Sequence, residues 1–92
     1  MYANKLGYQV ATQAAGLLVK SGPAGFFGFT VTASTAGTIT VYDGLTNAGT
    51  VVFTKTSLAV GEVVHFGGNG LALNTGLYVV AGGTATIVIL YT

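Results

Sequence analysis

Charge is what this chain lacks most. Only 5% of its 92 residues are Asp, Glu, Lys or Arg, against roughly 25% in an average soluble domain. The set is Lys5, Lys20, Lys55, Asp43 and Glu62, with no arginine. A net charge of +1 leaves no basic footprint. A nucleic-acid surface needs clustered Lys and Arg to neutralise phosphates, so no nucleic-acid partner is expected. Cysteine is also absent. That excludes a disulfide framework and a thiolate zinc site, and leaves stability to packing and association. Tryptophan is missing, and the single proline is Pro23.

Scarce charge has a second consequence. A solitary domain normally keeps its surface wet with mixed charges and avoids wide apolar patches. Here that role falls to Thr, Ser, Asn, Gln and Gly. Amides and hydroxyls cost far less to desolvate than ions. A surface made of them suits a subunit that is buried against neighbours, and association with copies of itself is expected.

Mean hydropathy is +0.72 and hydrophobic residues make up 51% of the chain. Residues 71–91 carry no charge and are long enough to span a bilayer as a helix. They also contain Asn74, Thr75, Gly76, Gly82, Gly83, Thr84 and Thr86. Gly-Gly separates two β-branched runs, so the segment reads as strands and no membrane partner is expected. Met1 to Lys5 holds a lysine, but no continuous apolar run follows, and no secretory leader is read there.

What the chain does have is strand signals: short runs of Val, Ile, Thr, Phe and Tyr bounded by Gly, Asn and Asp. Residues 1–13 read as an extended N-terminal arm and 14–92 as one domain. Strands are expected at 14–20, 26–34, 38–43, 50–56, 62–66, 77–81 and 84–91, with a short one near 71–73. The last two are expected to form a pair joined at Gly82-Gly83. Residues 8–20 are the one helical competitor, weakened by Gly7 and Gly16. Seven or eight short strands with turns every eight to twelve residues give an all-β fold, a small antiparallel β-sandwich or jelly-roll-like barrel.

Alternation assigns faces. Ile39 and Val41 share one face, with Thr38 and Thr40 on the other. Phe27, Phe29, Val31 and Ala33 are the expected inward set of their strand. The last strand departs from this rule. Ala85, Ile87, Ile89 and Tyr91 form one face, yet Val88 and Leu90 make the other apolar as well. A strand apolar on both faces needs cover on both, and a second subunit supplies it in so small a domain. Val88, Leu90 and Tyr91 are therefore candidate assembly residues. Tyr2, Leu6 and Tyr8 of the arm join them as anchors for a neighbouring groove.

Catalytic constellations are thin. His65 is the only histidine, and Glu62, three residues away on a strand, points to the opposite face. One histidine with two scattered carboxylates falls short of a metal site. Ser21, Ser34 and Ser57 lack a nucleophile-elbow context. Gly67-Gly68-Asn69-Gly70 is followed by neither a helix pattern nor a Lys-Ser/Thr pair, so it reads as a turn. Asp43-Gly44 also reads as a turn, with Asp43 capping backbone amides. No catalytic residue, metal or cofactor is expected. The five tyrosines, Tyr2, Tyr8, Tyr42, Tyr78 and Tyr91, are spread along the chain and read first as core or interface.

The run Gly37-Thr38-Ile39-Thr40-Val41-Tyr42-Asp43-Gly44 is followed by Phe66 with Gly70, then by Gly76-Leu77-Tyr78-Val79-Val80. Gly83-Thr84-Ala85-Thr86-Ile87-Val88 comes next, and Tyr91 closes the pattern. Over about two-thirds of the chain this resembles the small β-sandwich virion proteins of tailed bacteriophages, some of which are capsid decoration or cement proteins. The resemblance implies a non-enzymatic shell component on the capsid surface, a homo-oligomer with a trimer favoured, bound to the major capsid protein. The alternatives are a tail or fibre component or glycan-binding receptor module, and a host surface-assembly subunit.

Overall fold

Residues that alternate Val, Ile or Phe with Thr have an apolar face that only a sheet can bury as a continuous surface. The computed structural model describes residues 7–12, 16–66 and 70–92, and these contain strands and no helix. The strands are β1 (Gly7–Thr12), β2 (Gly16–Ser21), β3 (Ala24–Asp43), β4 (Thr50–Leu58), β5 (Val63–His65), β6 (Leu71–Leu73) and β7 (Gly76–Tyr91). All pairings are antiparallel. Residues 8–12 and 16–20, the expected helical competitor, are strand. So are residues 71–73 and 76–91, and no helix among the described residues is long and apolar enough to cross a membrane.

β3 and β7 are the frame. They pair along nearly their whole length, from Phe26↔Tyr91 to Asp43↔Leu77. This long ribbon folds over on itself, and each half seeds one sheet of four strands. In the first sheet, residues 84–91 of β7 lie between β1 and residues 24–34 of β3. β5 and β6 share the lane beyond. In the second sheet the order is β2, residues 76–82 of β7, residues 37–43 of β3, then β4. The two sheets face each other as a small β-sandwich, as expected from the strand count.

The corner corrects one expectation. Gly82-Gly83 does not join a hairpin between 77–81 and 84–91. Both runs belong to β7 and pair with β3 instead. Residues 26–34 and 38–43 likewise merge into β3. Glycine permits this because the chain bends there with backbones in close approach. A β-carbon on Gly37 would lie 2.6 Å from that of Ala85, and one on Gly82 would overlap Thr38 Oγ1. The register skips between Thr35 and Thr38, which bends β3 with β7. Ser34 Oγ fastens the corner by donating to Leu58 O at 2.8 Å and accepting from Gly37 N at 3.1 Å.

Between the sheets lie Phe26, Phe29, Val31, Ile39, Val41, Leu77, Val79, Ala81, Ala85, Ile87 and Ile89, all essentially inaccessible. Burial of each larger side chain is worth ~1.5–3 kcal/mol. Phe26, Phe29, Phe53 and Phe66 form a ring cluster across the gap, with centroids 5.3–6.5 Å apart. Such tilted and edge-on pairs add ~0.5–1.5 kcal/mol each. No polar side chain is buried among the described residues.

Faces follow alternation, with one correction. The expected inward set was Phe27, Phe29, Val31 and Ala33. Phe26 takes the buried position, Phe27 is half-buried and Ala33 is exposed. Bulges cause both changes, one between Phe26 and Gly28 and one between Val31 and Ala33. An extra residue flips the side chains beyond it to the other face. Gly28 carries the first bulge at φ +147, where a β-carbon would overlap the carbonyl oxygen of Val64. Only glycine fits there.

Within residues 1–13, the expected arm, Gly7–Thr12 is strand β1, paired with β7 from Gly7↔Tyr91 to Thr12↔Thr86. Tyr2 and Leu6 lie outside the described residues.

Candidate functional site

The residues singled out from sequence fall in different places. Val88 and Leu90 are half-buried and alternate with the buried Ile87 and Ile89, so they stand on the outer face of the first sheet. The backbone register sets Val10 and Thr30 either side of Val88, and Tyr8 and Gly28 either side of Leu90. Tyr91 differs from these two: it packs partly buried against the core cluster. Neighbouring Val63 is 49% exposed. It stands opposite Thr30 and extends the same outer row.

His65 is exposed, opposite Gly28 in β5. The carboxylate nearest in sequence, Glu62, is engaged elsewhere. Its Oε2 lies 3.1 Å from Lys55 Nζ, and its Oε1 accepts from Ala59 N at 3.1 Å. The Ala59 amide and the Lys55 ammonium hold the Glu62 carboxyl below its ordinary range. Asp43 does cap amides, but not in its own turn. It reaches across to the β6–β7 turn, where Oδ1 accepts from Thr75 N at 2.9 Å and Oδ2 from Asn74 N at 3.1 Å. Those amides, with Gly76 N at 3.4 Å from Oδ1, lower its pKa. Among the described residues, no three of His, Asp and Glu gather in a metal-holding group.

An open cleft of about 520 Å³ lies at one end of the sandwich, lined among others by Lys20, Pro23, Ala72 and Asn74. Lys20 is the only charged side chain that lines it. Among the described lining side chains none is an acid or base that could pair with Lys20.

The placement of charge is more informative. Asp43 and Lys20 stand opposite the inward Leu77 in register, and Lys55 stands opposite the inward Ile39. Asp43 is then drawn to the 74–76 turn, Lys20 to the end cleft and Lys55 to Glu62. Every described charge therefore sits at an edge or an end. Among the described residues, both outer faces are left to Thr, Tyr and aliphatic side chains, with His65 as the one imidazole.

On the second sheet one cross-strand row combines four such residues. Leu18 stands opposite Tyr78, Tyr78 opposite Tyr42, and Tyr42 opposite Val51. The two rings meet edge-on with centroids 6.1 Å apart. Leu18 is 42% exposed and Val51 51%. Sequence reasoning passed over this row. Alternation does put Tyr42 on the Thr38–Thr40 face, but bringing Leu18, Tyr78 and Val51 beside it needs the register of four strands.

No family model, no curated protein and no solved structure matches this chain. The outer faces, not an assignment by kinship, must carry the functional reading.

Proposed function

We propose that this protein is a non-enzymatic structural component of a virion, one that decorates and stabilises a capsid by self-association and by binding the major capsid protein. The observation that carries the structural part is that every described charge lies away from both outer faces of the sandwich. A face of hydroxyls, tyrosine rings and aliphatic groups is inexpensive to desolvate and gains from being covered. Two such faces on opposite sides let one subunit touch a copy and a shell at once. The virion setting comes from the resemblance described above, and the trimeric stoichiometry has the same source.

One observation favours the alternative of a tail or fibre component or glycan-binding module. Tyr42 and Tyr78 stand together on an outer face, and aromatic faces pack against sugar rings. Electron cryomicroscopy of intact particles carrying a labelled copy of the chain separates the two. Ordered density on the head surface supports the decoration role. Density at the tail tip or fibres favours the alternative, and no bound density on either overturns the virion reading.

A further inference from the structure

We propose that the outer face of the β2–β7–β3–β4 sheet, centred on Leu18, Tyr78, Tyr42 and Val51, is a homotypic contact that seats the same face of a second copy. The proposal rests on the structural reading above and specifies its self-association surface.

The chemistry of the face selects the occupant. Among the described residues it presents Leu18, Tyr78, Val80, Thr40, Tyr42, Val51 and Thr54 and no charged group. A polyanion, an acidic peptide or a charged headgroup finds no counter-ion there. A copy of the same face meets no like-charge repulsion, and each Tyr or Thr hydroxyl both donates and accepts. Tyr78 lies low on this surface. A β-carbon on Gly16 would overlap the Tyr78 hydroxyl and ring, so the tyrosine lies over the neighbouring strand rather than standing off the sheet. Beside it, Thr40 and Thr54 hydroxyls are 3.5 Å apart in the next row.

Two-fold symmetry suits this row. An axis parallel to the strands, through its middle, sets Leu18 over the copy's Val51 position and Tyr78 over the copy's Tyr42 position, so apolar ends and aromatic centres both match. Four strands ~4.8 Å apart and ~25 Å long offer roughly 500 Å² per copy, or about 1,000 Å² for the pair, near the lower bound for a specific interface. The contact is therefore reversible and concentration-dependent. It closes as a dimer rather than as the trimer that the resemblance implies.

Sedimentation velocity on the full chain across a wide concentration series tests this. The wild type shows a monomer–dimer equilibrium. Leu18→Lys and Val51→Lys, both at exposed positions, each weaken it by ~10-fold or more. Circular dichroism checks that the variants are folded, and Thr54→Lys in the adjoining row is the substitute where Leu18→Lys is not. Val60→Lys, 63% exposed in the β4–β5 connection and off both outer rows, leaves the dimer constant unchanged. Loss of association in Val88→Lys, on the other sheet, with retention in Leu18→Lys and Val51→Lys overturns this face while leaving a self-associating subunit. A trimer that survives the second-sheet lysines overturns it too. A monomer at every concentration removes both this contact and the self-association in the proposed function.

Discussion

Replacing Phe26 and Phe27 separately by alanine tests the bulge that decides which of two adjacent phenylalanines is core. Simple alternation from Phe29 and Val31 puts Phe27 inside. The structure puts Phe26 there, at 0% exposure, with its ring 5.3 Å from Phe66 and 6.5 Å from Phe53. Phe26→Ala removes this ring from the middle of the aromatic cluster. The transfer loss and the cavity together cost ~3–5 kcal/mol. A domain of this length is stable by only ~5–14 kcal/mol, so the variant loses a large share of its stability. With a urea slope of about 1.5 kcal/mol/M, the midpoint falls by ~2–3 M. Phe27 is half-buried and lies near Gly70 at the rim. Its truncation costs ~0.5–1.5 kcal/mol, a midpoint shift of less than ~1 M. Urea unfolding of both variants and wild type at one fixed protein concentration keeps association from biasing the comparison. Equal costs, or a greater cost for Phe27→Ala, would refute the bulge and restore plain alternation.

Gly28→Ala puts a β-carbon against the Val64 carbonyl in a backbone conformation that L-residues rarely adopt. A loss of ~2 kcal/mol or more is expected, read as a lowered thermal midpoint; an unchanged midpoint would show that the strand does not need glycine there. The Asp43 carboxyl has a folded pKa below its unfolded value, so it contributes stability above the unfolded pKa that is lost as pH falls through the folded one. Asp43→Asn should therefore be less stable than wild type near neutral pH, with the gap closing below about pH 4; a gap that is constant with pH would refute the amide clamp. Lys55→Met should leave the unfolding midpoint nearly unchanged, since its partner Glu62 is a solvent-accessible ion; a clear loss in denaturant titration would mean that the pair holds the β4–β5 connection. Leu90→Asp, on the outer face of the first sheet, should reduce particle binding more than folding; global unfolding in circular dichroism would mean that this face belongs to the intramolecular core.

How much of the fold was legible depends on which physical signal fixes each part. Strand identity follows from local composition, and the runs around Thr38–Asp43 and Ala85–Ile89 declare themselves through β-branched alternation. Connectivity does not. Gly82-Gly83 looks like a hairpin turn because glycine is the usual residue of tight turns. Glycine equally serves where a strand bends across a corner, and the deciding fact is the partner. Residues 76–91 are bound to β3 on both sides of the bend. That pairing joins residues some fifty positions apart in sequence, beyond the reach of a local pattern. Bulges are hidden for the same reason. The extra residue near Phe27 sits where the β5 backbone crowds Gly28 and leaves no room for a side chain, and β5 lies more than thirty residues downstream.

The functional surface shows the same division. Low charge is visible in composition and already argues for burial against a partner. Where charge is withheld is a property of the sheets. Asp43, Lys20 and Lys55 are scattered in sequence, and nothing local distinguishes them from ordinary strand-flanking residues. Only the register places each opposite an inward side chain and then turns it to an edge or an end. The same register gathers Leu18, Tyr42, Val51 and Tyr78, contributed by four strands, into one uncharged row. Val88 and Leu90 alternate with the buried Ile87 and Ile89, and alternation within one strand suffices to place them on an outer face. The second sheet needed four strands in register before its row existed, and its more exposed Leu18 and Val51 make it the stronger test of self-association. A lysine there introduces charge where the fold has kept all its described charges away, which is why those substitutions should break a contact without breaking the sandwich.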